Sequence, residues 1–154
     1  MASKGGDRIM ELKNRSQYLD KLISVQDMEV IKVVTGIRRC GKSSLLKLMM
    51  AHLREQGVME EQILSMNFES MQFADMDSKS LYQYVTERES KGKRLYLFLD
   101  EVQKVRDWQD AVNSFRVDLD CDIYVTGSNA YLLSSELSTY LSLIHISEPT
   151  RLLS

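Results

Sequence analysis

The chain has 154 residues, enough for one domain with a core of its own. Its 44% hydrophobic and 27% charged residues are the balance of a folded globular protein, and a net charge of −2 does not mark a nucleic-acid binder. Two cysteines, Cys40 and Cys121, suggest neither a zinc site nor a disulfide framework; with no signal peptide or membrane-length apolar run in view, a cytoplasmic protein is expected.

Residues 1–6 are small and polar. Between Asp7 and Ile23, apolar residues at Ile9, Leu12, Leu19, Leu22 and Ile23 make an imperfect helical stripe, interrupted at Ser16, that should pack beside the first strand. The β-branched run Val30-Ile31-Lys32-Val33-Val34 predicts that strand. Leu45, Met49 and Leu53, at i, i+4 and i+8, predict a helix shortly after it. Between them, Gly36 to Ser43 reads G-x-x-x-x-G-K-S, the phosphate-loop pattern, in the strand–loop–helix context it needs.

The spacing has a chemical reason. Glycines at 36 and 41 allow backbone angles closed to other residues, so successive N–H groups can point inward. Those groups and the positive end of the helix form an anion site. Gly36, Ile37, Arg38, Arg39, Cys40, Gly41, Lys42, Ser43 and Ser44 are the candidate ATP-contacting residues. Lys42 can reach the β- and γ-phosphates, and the Ser43 hydroxyl can bind Mg²⁺.

Gly57 is a helix stop. Gln62–Phe68 predicts a second strand, and Asp77 or Ser78 can cap a helix bearing Leu81, Tyr84 and Val85. After a turn at Lys91-Gly92-Lys93, Leu95-Tyr96-Leu97-Phe98-Leu99 is apolar throughout, as a parallel strand buried on both faces must be. Asp100 and Glu101 follow at its C-terminal end, where open α/β sheets place ligands. In this Walker B pattern Asp100 is a candidate Mg²⁺ ligand and Glu101 a candidate general base for the attacking water. Trp108, Ala111, Val112 and Phe115 define a further amphipathic helix, with Trp108 suited to core packing or to partner contact. Asp122–Thr126 predicts a fourth strand, ending in Gly127-Ser128-Asn129. Ser128 and Asn129 either sense the γ-phosphate and position water or form a capped turn.

This order of motifs resembles the additional-strand, catalytic-glutamate division of P-loop ATPases. Three stretches resemble, more narrowly, an AAA-type ATPase family of bacteria and archaea: Thr35 to Ser43, Leu99 to Gln109, and Thr126 to Ala130. The resemblance runs from about Ile31 to Tyr140. It implies a three-layer α/β P-loop sandwich with a parallel sheet in spatial order 5-1-4-3-2, and a long C-terminal region of unknown function beyond it. It also implies that Asn67 restrains the catalytic glutamate and that Arg38 and Arg39 match the family's paired arginines. A GTPase would carry D-x-x-G at the second site and an N-K-x-D motif; neither is present.

After Tyr140 the resemblance stops. Leu141 to Arg151 matches a translated transposon-based sequencing adapter, so residues 141–154 are expected to be a non-native tail and residues 1–140 the N-terminal part of an ATPase domain. The expected strand order is therefore 1-4-3-2 with the fifth strand missing and the first strand an exposed edge. The expected function is Mg²⁺-dependent ATP binding and hydrolysis, with a homo-oligomer and an unspecified macromolecular client as partners and no membrane. This stretch by itself should be deficient in turnover. The alternative is an ATP-gated binding or signalling module with little hydrolysis.

Overall fold

The structure is a computed structural model that describes residues 15–36, 41–128 and 141–146, with only the backbone of 141–143 and 145. A helix at 15–24 (α1) precedes β1 (Ile31–Thr35) and α2 (Lys42–Glu55). Then follow β2 (Ile63–Asn67), α3 (Ser78–Glu87), β3 (Leu95–Asp100), α4 (Trp108–Asp118), β4 (Cys121–Gly127) and β5 (Leu141–His145). The strands form one parallel sheet in the order β2-β3-β4-β1-β5.

Side-chain alternation divides the core into two layers. Val33, Leu97, Leu99, Ile123 and Val125 face α3 and α4, where Leu81, Val85, Val112 and Phe115 are buried. Val34, Tyr96, Phe98 and Tyr124 face α1 and α2, against Leu22, Leu45, Met49 and Leu53. On that second face Phe98 and Tyr124 stack with ring centroids 4.7 Å apart. Strand β3 is buried along its whole length because both faces are covered. Trp108 is 3% exposed within the first layer, which decides for core packing over partner contact.

Local signals end the elements where expected. Gly57 adopts φ 93°, with Gly57 N–H donating to Arg54 O and Val58 N–H to Leu53 O at 3.0 Å each, the paired bonds of a Schellman stop. Of the two cap candidates for α3, Asp77 is the one used. Its carboxylate accepts from Ser80 N–H at 2.9 Å, while Ser80 Oγ accepts from Asp77 N–H at 3.0 Å.

The order 1-4-3-2 is present, with β4 between β1 and β3. The expectation of a missing fifth strand and an open β1 edge is corrected. Leu141–His145 pairs in parallel with Ile31–Thr35, and Ile146 N–H donates to Thr35 O at 2.8 Å. The reason is the edge itself: an apolar, β-branched strand with unpaired backbone groups is a template for any extended segment within reach. Ile144 and Ile146 are buried against the α1/α2 layer.

One buried ionic cluster was not anticipated. Lys32 and Asp122 side chains are wholly buried and ion-paired across β1 and β4. Lys32 Nζ also donates to Met28 O at 2.8 Å; Tyr124 OH and Asp27 N–H donate to the other Asp122 oxygen at 2.6 and 3.0 Å. Burial pushes the Lys32 ammonium below its usual pKa, against the opposing pull of Asp122.

Candidate active site at the strand tips

Parallel strands deliver the C-terminal ends of β1, β3 and β4 to one edge of the sheet, beside the first turn of α2. Gly36 follows β1, Asp100 ends β3 with Glu101 after it, and Ser128 follows β4. Gly41 caps α2 at φ 98°, a left-handed backbone that glycine adopts without Cβ strain. Among the described residues no side-chain cap hydrogen bond closes that end, which leaves the first N–H groups of α2 as candidate anion donors. Ile37, Arg38, Arg39 and Cys40 lie outside the described residues, as does Asn129.

Lys42 is 4% exposed. Its Nζ donates to Gly36 O at 2.5 Å, lies 3.3 Å from Glu101 Oε1, and lies 3.3 Å from Ser128 Oγ. Ser128 Oγ donates in turn to Glu101 Oε2 at 3.0 Å. Ser43 Oγ donates to Asp100 Oδ2 at 2.5 Å, so the two candidate metal ligands touch. A hydroxyl and a carboxylate are hard oxygen donors and suit Mg²⁺, which takes few protein ligands and keeps waters and phosphate oxygens for the rest. Ser44 stands half-buried beside them in the same turn and has no assigned contact among the described residues.

Two residues not singled out in the sequence complete the arrangement. Thr126, fully buried, hydrogen-bonds Asp100 Oδ1 through its hydroxyl and accepts from Glu101 N–H at 2.9 Å. A polar β-branched residue one position before Gly127 was the available signal. Gln103 Nε2 donates to Glu101 Oε2 at 2.6 Å. Asn67 does not do so: its Oδ1 accepts from Glu69 N–H at 3.0 Å, capping its own turn, although Asn67 lies in register with Asp100. Burial opposes charge on Glu101, but the Gln103 hydrogen bond, the Lys42 charge and the Ser128 hydroxyl outweigh it. Together they hold the carboxyl below the usual carboxylate range.

Residues 29–147 match a family described as AAA domain, which is most of the chain. The chain belongs to the AAA domain family. An uncharacterised protein of Haemophilus influenzae is 44% identical to this AAA domain over 131 residues, 84% of this chain and 33% of that protein. Uncharacterised protein MJ1544 of Methanocaldococcus jannaschii is 27% identical over 134 residues, 86% of this chain and 29% of its own length. The AAA domain thus spans about a third of the curated relatives it matches. In fold it is similar to the crystal structure of Cdc6p from Pyrobaculum aerophilum, with a TM-score of 0.59, 11% identity, and coverage of 86% of this chain and 45% of that one. The fold is that of an AAA-type P-loop ATPase, and family membership supports nucleotide binding. Among the described residues no helix is long and apolar enough to cross a membrane.

Proposed function

We propose that this AAA domain binds Mg·ATP and hydrolyses it to ADP and phosphate within a longer protein. The observation that carries the reading is the meeting of Lys42, Ser43, Asp100, Glu101 and Ser128 at one sheet edge, linked by contacts of 2.5 to 3.3 Å. Backbone N–H groups from Gly36 to Ser44, with the α2 N-terminus, cradle the phosphates. Lys42 pairs with the β- and γ-phosphates. Ser43 and Asp100 hold Mg²⁺, which when bound neutralises phosphate charge. Glu101 takes a proton from water as the water oxygen bonds to the γ-phosphorus and the bond to the ADP oxygen breaks. Ser128 and Asn129 contact the γ-phosphate or that water. Arg38 and Arg39, outside the described residues, pair with phosphates or with a neighbouring acidic surface, or stay solvated.

A second reading, an ATP-gated module with little turnover, has one observation in its favour. Glu101 is committed to Lys42, Gln103 and Ser128 and must give up at least Lys42, which holds Oε1, before it can serve water. Phosphate release by the full-length protein, compared with Glu101→Gln, separates the two. A drop of roughly 10² or more supports hydrolysis with Glu101 as base, since an amide cannot accept the proton. Equal rates remove Glu101 from that role, and no release by the wild type favours the gated module.

We also assign the domain to residues 1–140 and residues 141–154 to a non-native tail standing where the family's own fifth strand belongs. The adapter-like reading of Leu141 to Arg151 supports this; the family match reaching residue 147 favours a native strand. The genomic reading frame past codon 140 decides between them. The arginine that completes such sites, worth roughly 10³–10⁵ in rate, has no assigned counterpart here. Turnover by this stretch on its own should therefore be negligible, with a homo-oligomer, a macromolecular client and the cytoplasm as the setting of the full-length protein.

A further inference from the structure

Glu101 and Gln103 share one tight turn. Glu101 opens the 3₁₀ turn Val102–Lys104 from the left-handed region, at φ 57° and ψ 49°. The turn is anchored from below. Val102 and Val105 are buried at 0% and 2% exposure, and Val105 N–H donates to Val102 O at 3.0 Å. From that base Gln103 Nε2 reaches Glu101 Oε2 at 2.6 Å. Gln103 Oε1 is buried with no hydrogen-bond partner among the described residues. The amide cannot be turned over to satisfy it, because its oxygen would then face a carboxylate oxygen.

The other partners of Glu101 come from elsewhere, Lys42 from α2 and Ser128 from the β4 tip. In the proposed reaction Lys42 turns toward phosphate and Ser128 toward phosphate or the attacking water. Gln103 is the partner on the same turn as Glu101, so it keeps its place relative to Glu101 when they leave. It holds Oε2, whereas Oε1 is the oxygen on the Lys42 side.

We infer that Gln103 is the positioning residue of Glu101: its amide N–H fixes the far carboxylate oxygen so that the near one faces the attacking water. A base oriented by a third group is the general arrangement for such chemistry. Asn67 makes no hydrogen bond to Glu101 among the described residues; its Oδ1 accepts from Glu69 N–H. The inference rests on the ATPase reading above.

The test is steady-state ATP hydrolysis and Mg·ATP-analogue binding by the full-length protein, comparing wild type, Gln103→Leu and Gln103→His. Leucine keeps the volume and removes the donor; histidine returns an N–H. Gln103→Leu should lower kcat on the order of 10- to 100-fold, as loss of an outer orienting partner does elsewhere, while nucleotide affinity and KM stay at wild-type values. Gln103→His should recover part of kcat. Wild-type kcat in Gln103→Leu overturns the inference and leaves the ATPase reading standing. Lost nucleotide binding in Gln103→Leu, or no recovery with histidine, also overturns it, making Gln103 a packing residue. Absence of turnover in the wild type overturns the ATPase reading and this inference with it.

Discussion

Lys42 Nζ lies 3.3 Å from Glu101 Oε1, so the cation proposed for phosphate and the carboxylate proposed for water neutralise each other in this structure. Both are nearly buried, at 4% and 6% exposure, so the attraction is only weakly screened by solvent. In the proposed reaction nucleotide separates them, which would couple binding at Lys42 to release of Glu101. Lys42→Ala removes the mobile cation aimed at the phosphates. It should weaken Mg·ATP binding roughly 10- to 100-fold, the worth of a charged hydrogen bond. Titration of a fluorescent ATP analogue into full-length wild type and mutant checks this. Equal affinities would reject the phosphate-loop assignment.

Asp100 accepts from both Ser43 and Thr126, which fixes its carboxylate at the end of β3. Asp100→Asn keeps the shape and removes the charge that a hard divalent cation requires. Its expected signature is a shift of the Mg²⁺ requirement to higher concentration. Phosphate release measured across a magnesium titration reads it, and an unchanged titration curve would remove Asp100 from the metal site.

The Lys32–Asp122 pair makes a stability prediction independent of nucleotide. Removing one member leaves an uncompensated buried charge, so Asp122→Ala should cost about 3–5 kcal/mol. The double replacement Lys32→Met, Asp122→Leu leaves neither charge buried and should recover most of that loss. Urea unfolding of the two variants measures the difference. A double variant as unstable as Asp122→Ala would mean that the pair does more than balance itself.

Strand β5 covers the β1 edge and contributes Ile144 and Ile146 to the α1/α2 layer. A chain ending at Tyr140 loses both side chains, each worth about 1.5–3 kcal/mol when fully buried, and leaves β1 open to pairing between molecules. It should melt several degrees lower, since about 1 kcal/mol moves the midpoint by roughly 2–8 °C, and it should form larger species. Scanning calorimetry with light scattering, run beside the 154-residue chain, tests this. Identical melting and size would mean that β5 contributes nothing to the fold.

Much of the site was readable because its residues are written in short, local patterns. Gly36, Gly41, Lys42 and Ser43 lie within one loop and its helix, and Asp100-Glu101 ends an unmistakable apolar strand. Their meeting then follows from the geometry of parallel sheets, which brings strand tips to one edge. The cap at Asp77 and the stop at Gly57 were equally local. By itself the sequence determined four of the strands, the helices between them and the edge on which the chemistry would be sought; the layering and the order 1-4-3-2 came from the resemblance to AAA-type ATPases.

Only the tertiary structure decided which side chains pair across that framework. Lys32 reads as a flaw in a buried strand until register sets it opposite Tyr124 and so within reach of Asp122, on the same face of β4 and ninety positions away in sequence. Thr126 joins Asp100 to Glu101 because β4 lies beside β3, and Gln103 replaces Asn67 as the partner of Glu101 because a left-handed residue turns the chain back on itself. The fifth strand shows only in the pairing of Leu141–His145 with Ile31–Thr35, more than a hundred positions apart. In each case the deciding quantity is a distance between residues far apart in sequence, or a backbone turn that side-chain periodicity does not encode.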